Sequence, residues 1–388
     1  MEYAIANSDS ESVRRAESVL NKYVEQGKLS GMNLFKIIKE RVITPYRVYR
    51  KDMSFLPAQK EGDTPTYHVA VEGSEKVHEF SLHKHALSQM AGEVQIPLTF
   101  VNTLTNGAAW ERRELSDLLQ ERFQKLDFKQ RGGGSPRFIN LAVGQQVRGF
   151  VSRSFKRHLR SGPIFEAFAR ACGSFGALPV ETLVSDLAFT LRCVLQHVFE
   201  LKRGKYVAIG FSCSNSDFGA GVFKIGLTAM DLQTGNITYL KSIKEERHVG
   251  SAERDTGSSE ILSDETIQVK IHATQSEVRD VVAAGLHPDK VNELLELIRR
   301  SMDKEISWPR FVSYLQGKMS SEDIKELENI LKDSKRSQQI ADISYDVDEN
   351  AIINLWWASS AVAEIAKKYD GEKKDDLQVA AGALLMRD

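Results

Sequence analysis

Three consecutive segments of this chain alternate apolar with polar or small side chains, and the connections between them are short. They lie at residues 205–214, 223–229 and 236–243, and the last follows the turn signal Thr234-Gly235. Alternation with a period of two is typical of strands, and short connections allow only antiparallel pairing. The sequence therefore predicts an antiparallel β-meander, with residues 267–271 as a fourth strand. The alternating apolar positions of the first two segments are Val207, Ile209, Phe211, Cys213, Phe223, Ile225, Leu227 and Ala229.

Helical periodicity dominates on both sides of the meander. Residues 179–201 carry apolar side chains at helical spacing, which predicts a long helix behind the sheet. Residues 9–26 and 30–41 read as two N-terminal helices, and capping boxes at 274–277 and 320–323 start helices of a C-terminal bundle. The predicted fold class is α+β: an antiparallel β-meander packed on a long helix, with a helical N-terminal region and a C-terminal helical bundle.

A run of three glycines, followed by Ser135-Pro136, is the strongest linker signal in the chain. It divides the sequence into a mainly helical region at 1–130 and a sheet core at 131–273. Within that core, two β-rich segments flank Gly144-Gln145 and predict a hairpin at 137–152. Residues 274–388 form the third predicted region, which is helical.

Composition excludes several classes of protein. The chain has 388 residues, of which 41% are hydrophobic, and no apolar run approaches the roughly 18 residues of a membrane span. Its first four residues lack the pattern of a secretory signal, so we expect a cytoplasmic protein that makes no membrane contact. Cys172, Cys193 and Cys213 have a spacing typical of neither a disulfide framework nor a zinc site. The sequence predicts no metal site and no cofactor.

The near-neutral net charge of −1 conceals an asymmetry along the chain. Residues 129–160 contain eight cations and no carboxylate, whereas residues 301–388 contain 17 carboxylates against 12 cations. Such a basic stretch is either a solvated face balanced by the acidic end of the chain or a surface that binds anions. The eight cations are Lys129, Arg131, Arg137, Arg148, Arg153, Lys156, Arg157 and Arg160.

Aromatic residues are interleaved with these cations. Cations neutralise phosphates and exposed aromatic rings stack on unpaired bases, which is the combination that single-strand binders use. The basic stretch, with Phe138, Phe150 and Phe155, therefore predicts a nucleic-acid-binding surface. The alternative for each phenylalanine is a place in the core of the hairpin.

The most distinctive polar loop is Asn215-Ser216-Asp217-Phe218-Gly219-Ala220-Gly221. Its glycines could bring backbone N–H groups close to a phosphate, but it joins two strands instead of opening a helix. A β-turn rich in Asn, Asp and Gly explains it equally well. Asn215, Ser216, Asp217, Gly219 and Gly221, together with His248, form a candidate ligand loop.

Four segments resemble the phage- and plasmid-related proteins of unknown function. They are Val147-Arg148-Gly149-Phe150-Val151-Ser152-Arg153-Ser154-Phe155, the loop at 214–221, Arg247-His248-Val249-Gly250, and residues 81–97 with their Ile96-Pro97. Phe155 and Arg153 replace the tyrosine and aspartate that are usual in that family. The resemblance covers about residues 80–270 and implies a mobile-element origin and a host-cytoplasmic location, but no function.

These patterns favour a phage nucleic-acid-binding protein without catalytic activity, most readily one that binds or anneals single-stranded DNA and assembles into homo-oligomers. A first alternative is an assembly or host-interaction protein that uses the acidic C-terminal helices near Trp356 and Trp357. A second alternative is a hydrolase, which would require Asn215, Asp217 and His248 to converge in one pocket.

Overall fold

The computed structural model describes most of the chain. The described residues are 3, 5–6, 10–74, 76–125, 137–152, 155–202, 204–248, 263–332 and 351–386, with only the backbone of Arg137, Leu331 and Lys332. Lys129, Arg131 and Arg153 lie outside the described residues. Within the described ranges the architecture is α+β, as predicted, and no helix is both long and apolar enough to cross a bilayer.

Helix α1 (Glu11–Glu40) leads directly into a closed barrel of five strands. Three helices connect the third strand of this barrel to the fourth and close one end of it. The strands are β1 (Thr44–Leu56), β2 (Thr66–Val71), β3 (Val77–Leu82), β4 (Arg137–Val143) and β5 (Gln146–Val151), and the helices are α2 (Lys84–Glu93), α3 (Leu98–Thr105) and α4 (Ala109–Lys125).

The barrel closes in the order β1-β2-β3-β5-β4, with β1 long enough to pair with both β2 and β4. All pairs are antiparallel except β3 with β5, where Ser81 pairs with Gln146 in parallel. A barrel of five strands is also the architecture of the OB-fold. The predicted hairpin at 137–152 is present as β4 and β5. Because these two strands close the barrel, the predicted boundary at residue 130 falls inside it.

A six-stranded antiparallel sheet follows the barrel, in the order β11-β10-β9-β7-β6 with β8 paired to β9. The predicted meander is confirmed as β9, β10 and β11. The elements of this part are α5 (Ser161–Ser174), β6 (Ala177–Val184), β7 (Ala188–Leu195), β8 (Phe199–Lys202), β9 (Lys205–Ser216), β10 (Val222–Asp231) and β11 (Ile237–Arg247).

The long helix predicted at 179–201 is wrong, because this segment forms β6, β7 and β8. Helices cover both faces of the central sheet: Val194 and Ala208 face α1, whereas Cys193 and Ile209 face α5 and the following helix. A strand buried on both faces loses the alternation of apolar and polar residues. Its near-continuous apolar run therefore fits helical spacing as well. The long helix that packs on this sheet is α1.

The C-terminal part is helical, as predicted, with two short strands that pair with each other. The predicted strand at 267–271 is wrong, since Ile267 and Ile271 lie on the buried side of a helix whose N-cap is Ser263. The elements are α6 (Asp264–Gly285), α7 (Pro288–Ser301), β12 (Glu305–Ser307), α8 (Trp308–Leu315), α9 (Ser321–Lys332), β13 (Ile352–Asn354), α10 (Leu355–Ala366) and α11 (Gly371–Leu385).

Two details of helix boundaries also differ from the sequence prediction. The two N-terminal helices form the single helix α1, which runs through Gly27 without a break. The capping box at 274–277 lies inside α6, whereas the one at 320–323 is real: Oγ of Ser320 accepts a hydrogen bond from the backbone N–H of Asp323 at 3.1 Å. A capping sequence therefore marks a helix start only where the preceding residues leave the helical conformation.

Candidate nucleic-acid interface

A cleft of about 240 Å³ lies where the barrel meets the central sheet. Its walls come from the end of α1, the start of β1, the outer side of β4 and the segment that leads into α5. We call it the basic cleft, because four of its lining side chains are cations. They are Arg41, Lys156, Arg157 and Arg160.

The cations of the basic cleft repel one another. Burial and the nearby charge of Arg160 lower the pKa of Arg157, and Arg47 on the outer side of β1 contributes in the same direction. Burial also lowers the pKa of Arg41, whose Nη2 donates to the carbonyl of Ser185 at 3.1 Å. Gathering like charges in a partly buried place costs stability, and an anionic ligand removes that cost.

Carboxylates offset only part of this charge. Lys156 Nζ lies 3.0 Å from Oε1 of Glu246, whose pKa falls to about 2 because His158, Lys156 and Lys244 surround it. Arg157 reaches the exposed carboxylate of Asp264 only at 3.8 Å. Such a long, exposed pair is weak, so the guanidinium of Arg157 is available to a phosphate.

Helix α5 begins at the basic cleft, and a buried carboxylate caps its N-terminus. Oδ1 of Asp217 accepts a hydrogen bond from the backbone N–H of Ser161 at 2.8 Å. Burial raises the pKa of Asp217, while its bonds to Ser161 and the charges of Arg41 and Arg160 oppose that rise. Among the described residues that line the cleft, Asp217 is the one carboxylate beside four cations.

Among the predicted cations whose side chains are described, Arg148 does not line the cleft. It lies on β5, where its Nη1 donates to the carbonyl of Asp186 at 3.0 Å and its Nε to Oε1 of Gln146 at 3.0 Å. The backbone of Arg137 pairs with Tyr49 on β1. Of the four predicted cations with described side chains, the structure therefore brings three together.

The phenylalanines are not the exposed platform that the sequence predicts. Phe138 and Phe150 lie inside the barrel, stacked with ring centroids 4.5 Å apart. Phe155 is also buried, but it lines the floor of the basic cleft and stacks on His248. Phe138 and Phe150 belong to the barrel core, which is the alternative that the sequence left open for each phenylalanine.

The loop at 215–221 is held by internal contacts instead of presenting free groups to a ligand. Oγ of Ser216 accepts from the backbone N–H groups of Phe218 and Ala220, both at 3.2 Å, and donates to the carbonyl of Leu187. Gly219 and Gly221 have positive φ angles, which glycine adopts without strain. Oγ of Ser216 is therefore occupied within the turn, whereas Asn215 and Gly221 line a cavity of about 350 Å³, and the ligand loop stays a prediction.

Asn215 and His248 belong to one buried hydrogen-bond network. Nδ2 of Asn215 donates to the carbonyl of Leu159 and to Oγ of Ser161, both at 3.1 Å. Oδ1 of Asn215 is therefore the acceptor for Nε2 of His248, 2.9 Å away, which fixes the neutral imidazole with its hydrogen on Nε2. Burial lowers the pKa of His248 to about 4.

The arrangement does not support the hydrolase alternative. Asn215, Asp217 and His248 share the network around Ser161, but Asn215 lines a different cavity from Asp217, and His248 is buried. No described cavity therefore presents all three to a substrate. Throughout the described ranges, no three His, Cys, Asp or Glu side chains are placed to hold a metal ion. Trp356 and Trp357 are also buried, so they offer no surface to a host partner.

Sequence reasoning missed Arg41 and Arg47. They lie more than 100 residues before Arg157 in the chain, and only the closure of the barrel brings them beside it. A local signal exists in Arg47, Tyr49 and Lys51, which alternate on β1. Lys51 Nζ lies 6.0 Å from the ring centroid of Tyr49. Together these residues extend the positive charge from the cleft along the outer side of β1.

All four segments that carry the family resemblance meet at one junction. The carbonyl of Phe218 accepts hydrogen bonds from Gln89 at 3.2 Å and from His85 at 3.3 Å, and Gly149 packs against the same residue. The backbone N–H of Lys156 donates to the carbonyl of His248 at 2.7 Å. The junction between barrel and sheet thus uses the residues that the sequence singled out.

Comparisons of the chain with protein-family models, with curated proteins and with solved structures find no match. The candidate function therefore rests on the residues of this chain and on the topology of its fold.

Proposed function

We propose that the protein binds single-stranded nucleic acid, DNA most readily, without sequence preference and without catalysis. The observation that carries this proposal is the basic cleft, in which four cations line a cavity with a single carboxylate. Phosphates of a strand would pair with Arg157 and Arg160 and continue past Arg47 along β1. Backbone contacts of this kind give affinity but no base specificity.

The topology of the barrel supports the same function. OB-fold barrels bind oligonucleotides on the face formed by their second and third strands and on adjoining loops. In this chain, Nε2 of His68 lies 3.2 Å from Oε2 of Glu79 on that face, and the cations lie on β1 instead. A strand would therefore cross the barrel along β1 toward the cleft. The likeness in topology is an analogy, so it supports the proposal only in addition to the cations of the cleft.

The resemblance to phage- and plasmid-related proteins supports a place of action in a host cytoplasm. A strand longer than one cleft can hold several copies of the protein, so homo-oligomers along the strand belong to this proposal. Cooperative, salt-dependent assembly is the usual behaviour of proteins that protect single strands.

The test is fluorescence anisotropy of a labelled oligothymidylate of about 30 nucleotides, titrated with protein at several salt concentrations. We expect salt-sensitive binding at low micromolar protein. The double substitution Arg157→Gln and Arg160→Gln removes two phosphate contacts and should flatten the slope of log affinity against log salt by about 1.4. Arg170→Gln is the matched control, because Arg170 is an exposed arginine at the other end of α5.

Two results would contradict the proposal. One is the absence of any salt-sensitive binding by the wild-type protein. The other is a loss of binding free energy in Arg170→Gln of half that in the double variant or more, which would mean that binding follows the number of charges removed and not the cleft.

A further inference from the structure

The floor of the basic cleft is apolar, although its rim is charged. Eight apolar residues from α1, the link to β1, β1, β4, the segment before α5 and the first turn of α5 line the cleft, and Ile139 and Leu141 are outward-facing residues of β4. We call them the floor; they are Ile38, Ile43, Pro45, Ile139, Leu141, Phe155, Leu159 and Pro163. A site for inorganic phosphate alone needs no such floor, since phosphate offers no apolar surface to bury.

The volume of the cleft limits which ligands it can hold. The cavity of about 240 Å³ is smaller than the roughly 300–1,000 Å³ of typical small-molecule sites, and it is open on one side. It has room for one planar base with its sugar but not for a base pair with its stacked neighbours. The rim cations Arg157 and Arg160 stand where the phosphates of such a nucleotide would emerge.

We infer that the basic cleft takes one unstacked nucleotide, with its base and sugar on the apolar floor and its phosphates on the rim cations. This inference rests on the proposed function and names the unit of the strand that the site recognises. A duplex cannot offer an unpaired base without breaking a pair, so the cleft selects single strands. A free nucleoside monophosphate has the same chemistry and competes for the cleft.

The experiment compares three probes of equal length, of which the two single strands have the same phosphate spacing, with the wild-type protein at one salt concentration. They are an oligothymidylate, the same backbone with abasic sites throughout, and a duplex. We expect the abasic strand and the duplex to bind at least about tenfold more weakly than the oligothymidylate, since each stacked base contributes appreciably. Thymidine monophosphate should displace the strand at lower concentration than inorganic phosphate at matched ionic strength.

A variant that fills the floor provides the second arm. Ile43→Trp occupies the cleft without removing a cation, so we expect about tenfold weaker strand binding with an unchanged salt slope. Val42→Trp is the matched control, because Val42 is the adjacent residue, is 71% exposed and does not line the cleft. Thermal unfolding of both variants checks that they are folded.

The outcomes separate the inference from the proposed function. Equal affinity for the abasic strand and the oligothymidylate, or no competition by the monophosphate beyond that of phosphate, overturns the inference and leaves sequence-independent backbone binding intact. The absence of salt-sensitive binding to every probe overturns the proposed function itself.

Discussion

Nε2 of His248 lies 2.9 Å from Oδ1 of Asn215, and both side chains are buried at the junction between the barrel and the central sheet. The pKa of His248 falls from its usual 6.5 to about 4, since burial disfavours the charged imidazolium. The unfolded chain therefore binds a proton more readily than the native protein between these two values. The stabilising contribution is complete above pH 6.5 and is lost as the pH falls toward 4.

The corresponding prediction concerns acid stability. Between pH 7 and pH 5 the wild-type protein should lose about 2 kcal/mol of unfolding free energy more than His248→Gln, which keeps a donor for Asn215 but does not titrate. Urea unfolding at the two pH values measures this difference. Glu246 does not interfere, because its stabilising effect is lost only between about 4.5 and about 2. Identical pH dependence in the two proteins would contradict the burial of a neutral imidazole.

A second prediction concerns Gly27, where α1 crosses β6. A Cβ at this position would overlap the carbonyl of Pro179, so Gly27→Ala should destabilise the protein by about 1–3 kcal/mol. Helix propensity alone predicts the opposite sign, a gain of about 0.5–1 kcal/mol. Gly173→Ala in α5 is the control, because a Cβ there meets nothing within 4 Å and should give that gain. Denaturant unfolding of both variants decides whether contact or propensity dominates.

A third prediction concerns Arg192, a fully buried cation on β7 that pairs with Glu181 on β6 and with Asp375 on α11. Arg192→Met removes the partner of two largely buried carboxylates, and we expect a loss of about 3–5 kcal/mol. Arg170→Met removes an exposed arginine and should change stability by less than about 0.5 kcal/mol. Thermal or urea unfolding measures both. A loss below about 1 kcal/mol for Arg192→Met would mean that the carboxylates find other partners.

A fourth prediction concerns the tryptophans. Trp110 at the start of α4 is 67% exposed, whereas Trp356 and Trp357 are buried in α10. Acrylamide should therefore quench the emission of Trp110 most strongly, and Trp110→Phe should remove most of the quenchable fluorescence. If quenching is unchanged both in that variant and in the double variant that also carries Trp308→Phe, Trp308 being the half-buried fourth tryptophan, then Trp356 or Trp357 is accessible, and a docking surface on the C-terminal helices becomes tenable again.

The local patterns in the sequence predict elements well where one side of an element is buried and the other is solvated or faces small residues. Strand β9 alternates large apolar with small or polar residues in the sequence, although both of its sides are buried in the structure. Strand β7 lacks this alternation because large apolar residues lie on both of its covered faces, and its apolar run therefore predicts a helix. Val269 alternates with Ile267 and Ile271 as in a strand. The segment is nevertheless helical, because Ile271 and Val278 are seven residues apart and lie on the same buried side of α6.

The candidate site depends on contacts that no local pattern contains. Lys156, Arg157 and Arg160 stand out as cations without neighbouring carboxylates, and the structure places all three in the cleft. Arg41 and Arg47 join them only because β1 pairs with β4 across about 90 residues of chain. The burial of Phe138 and Phe150 likewise follows from barrel closure, which rests on the parallel pairing of β3 with β5.

The chain enters the barrel through residues 41–44 and leaves it through residues 152–160, and both crossings form walls of the basic cleft. A molecule bound between these walls would add a non-covalent link to the two covalent connections between barrel and sheet. Binding would therefore favour one angle between the barrel and the sheet. Because such coupling is reciprocal, a substitution that favours the same angle would raise the affinity of the cleft, even when it lies far from Arg157 and Arg160.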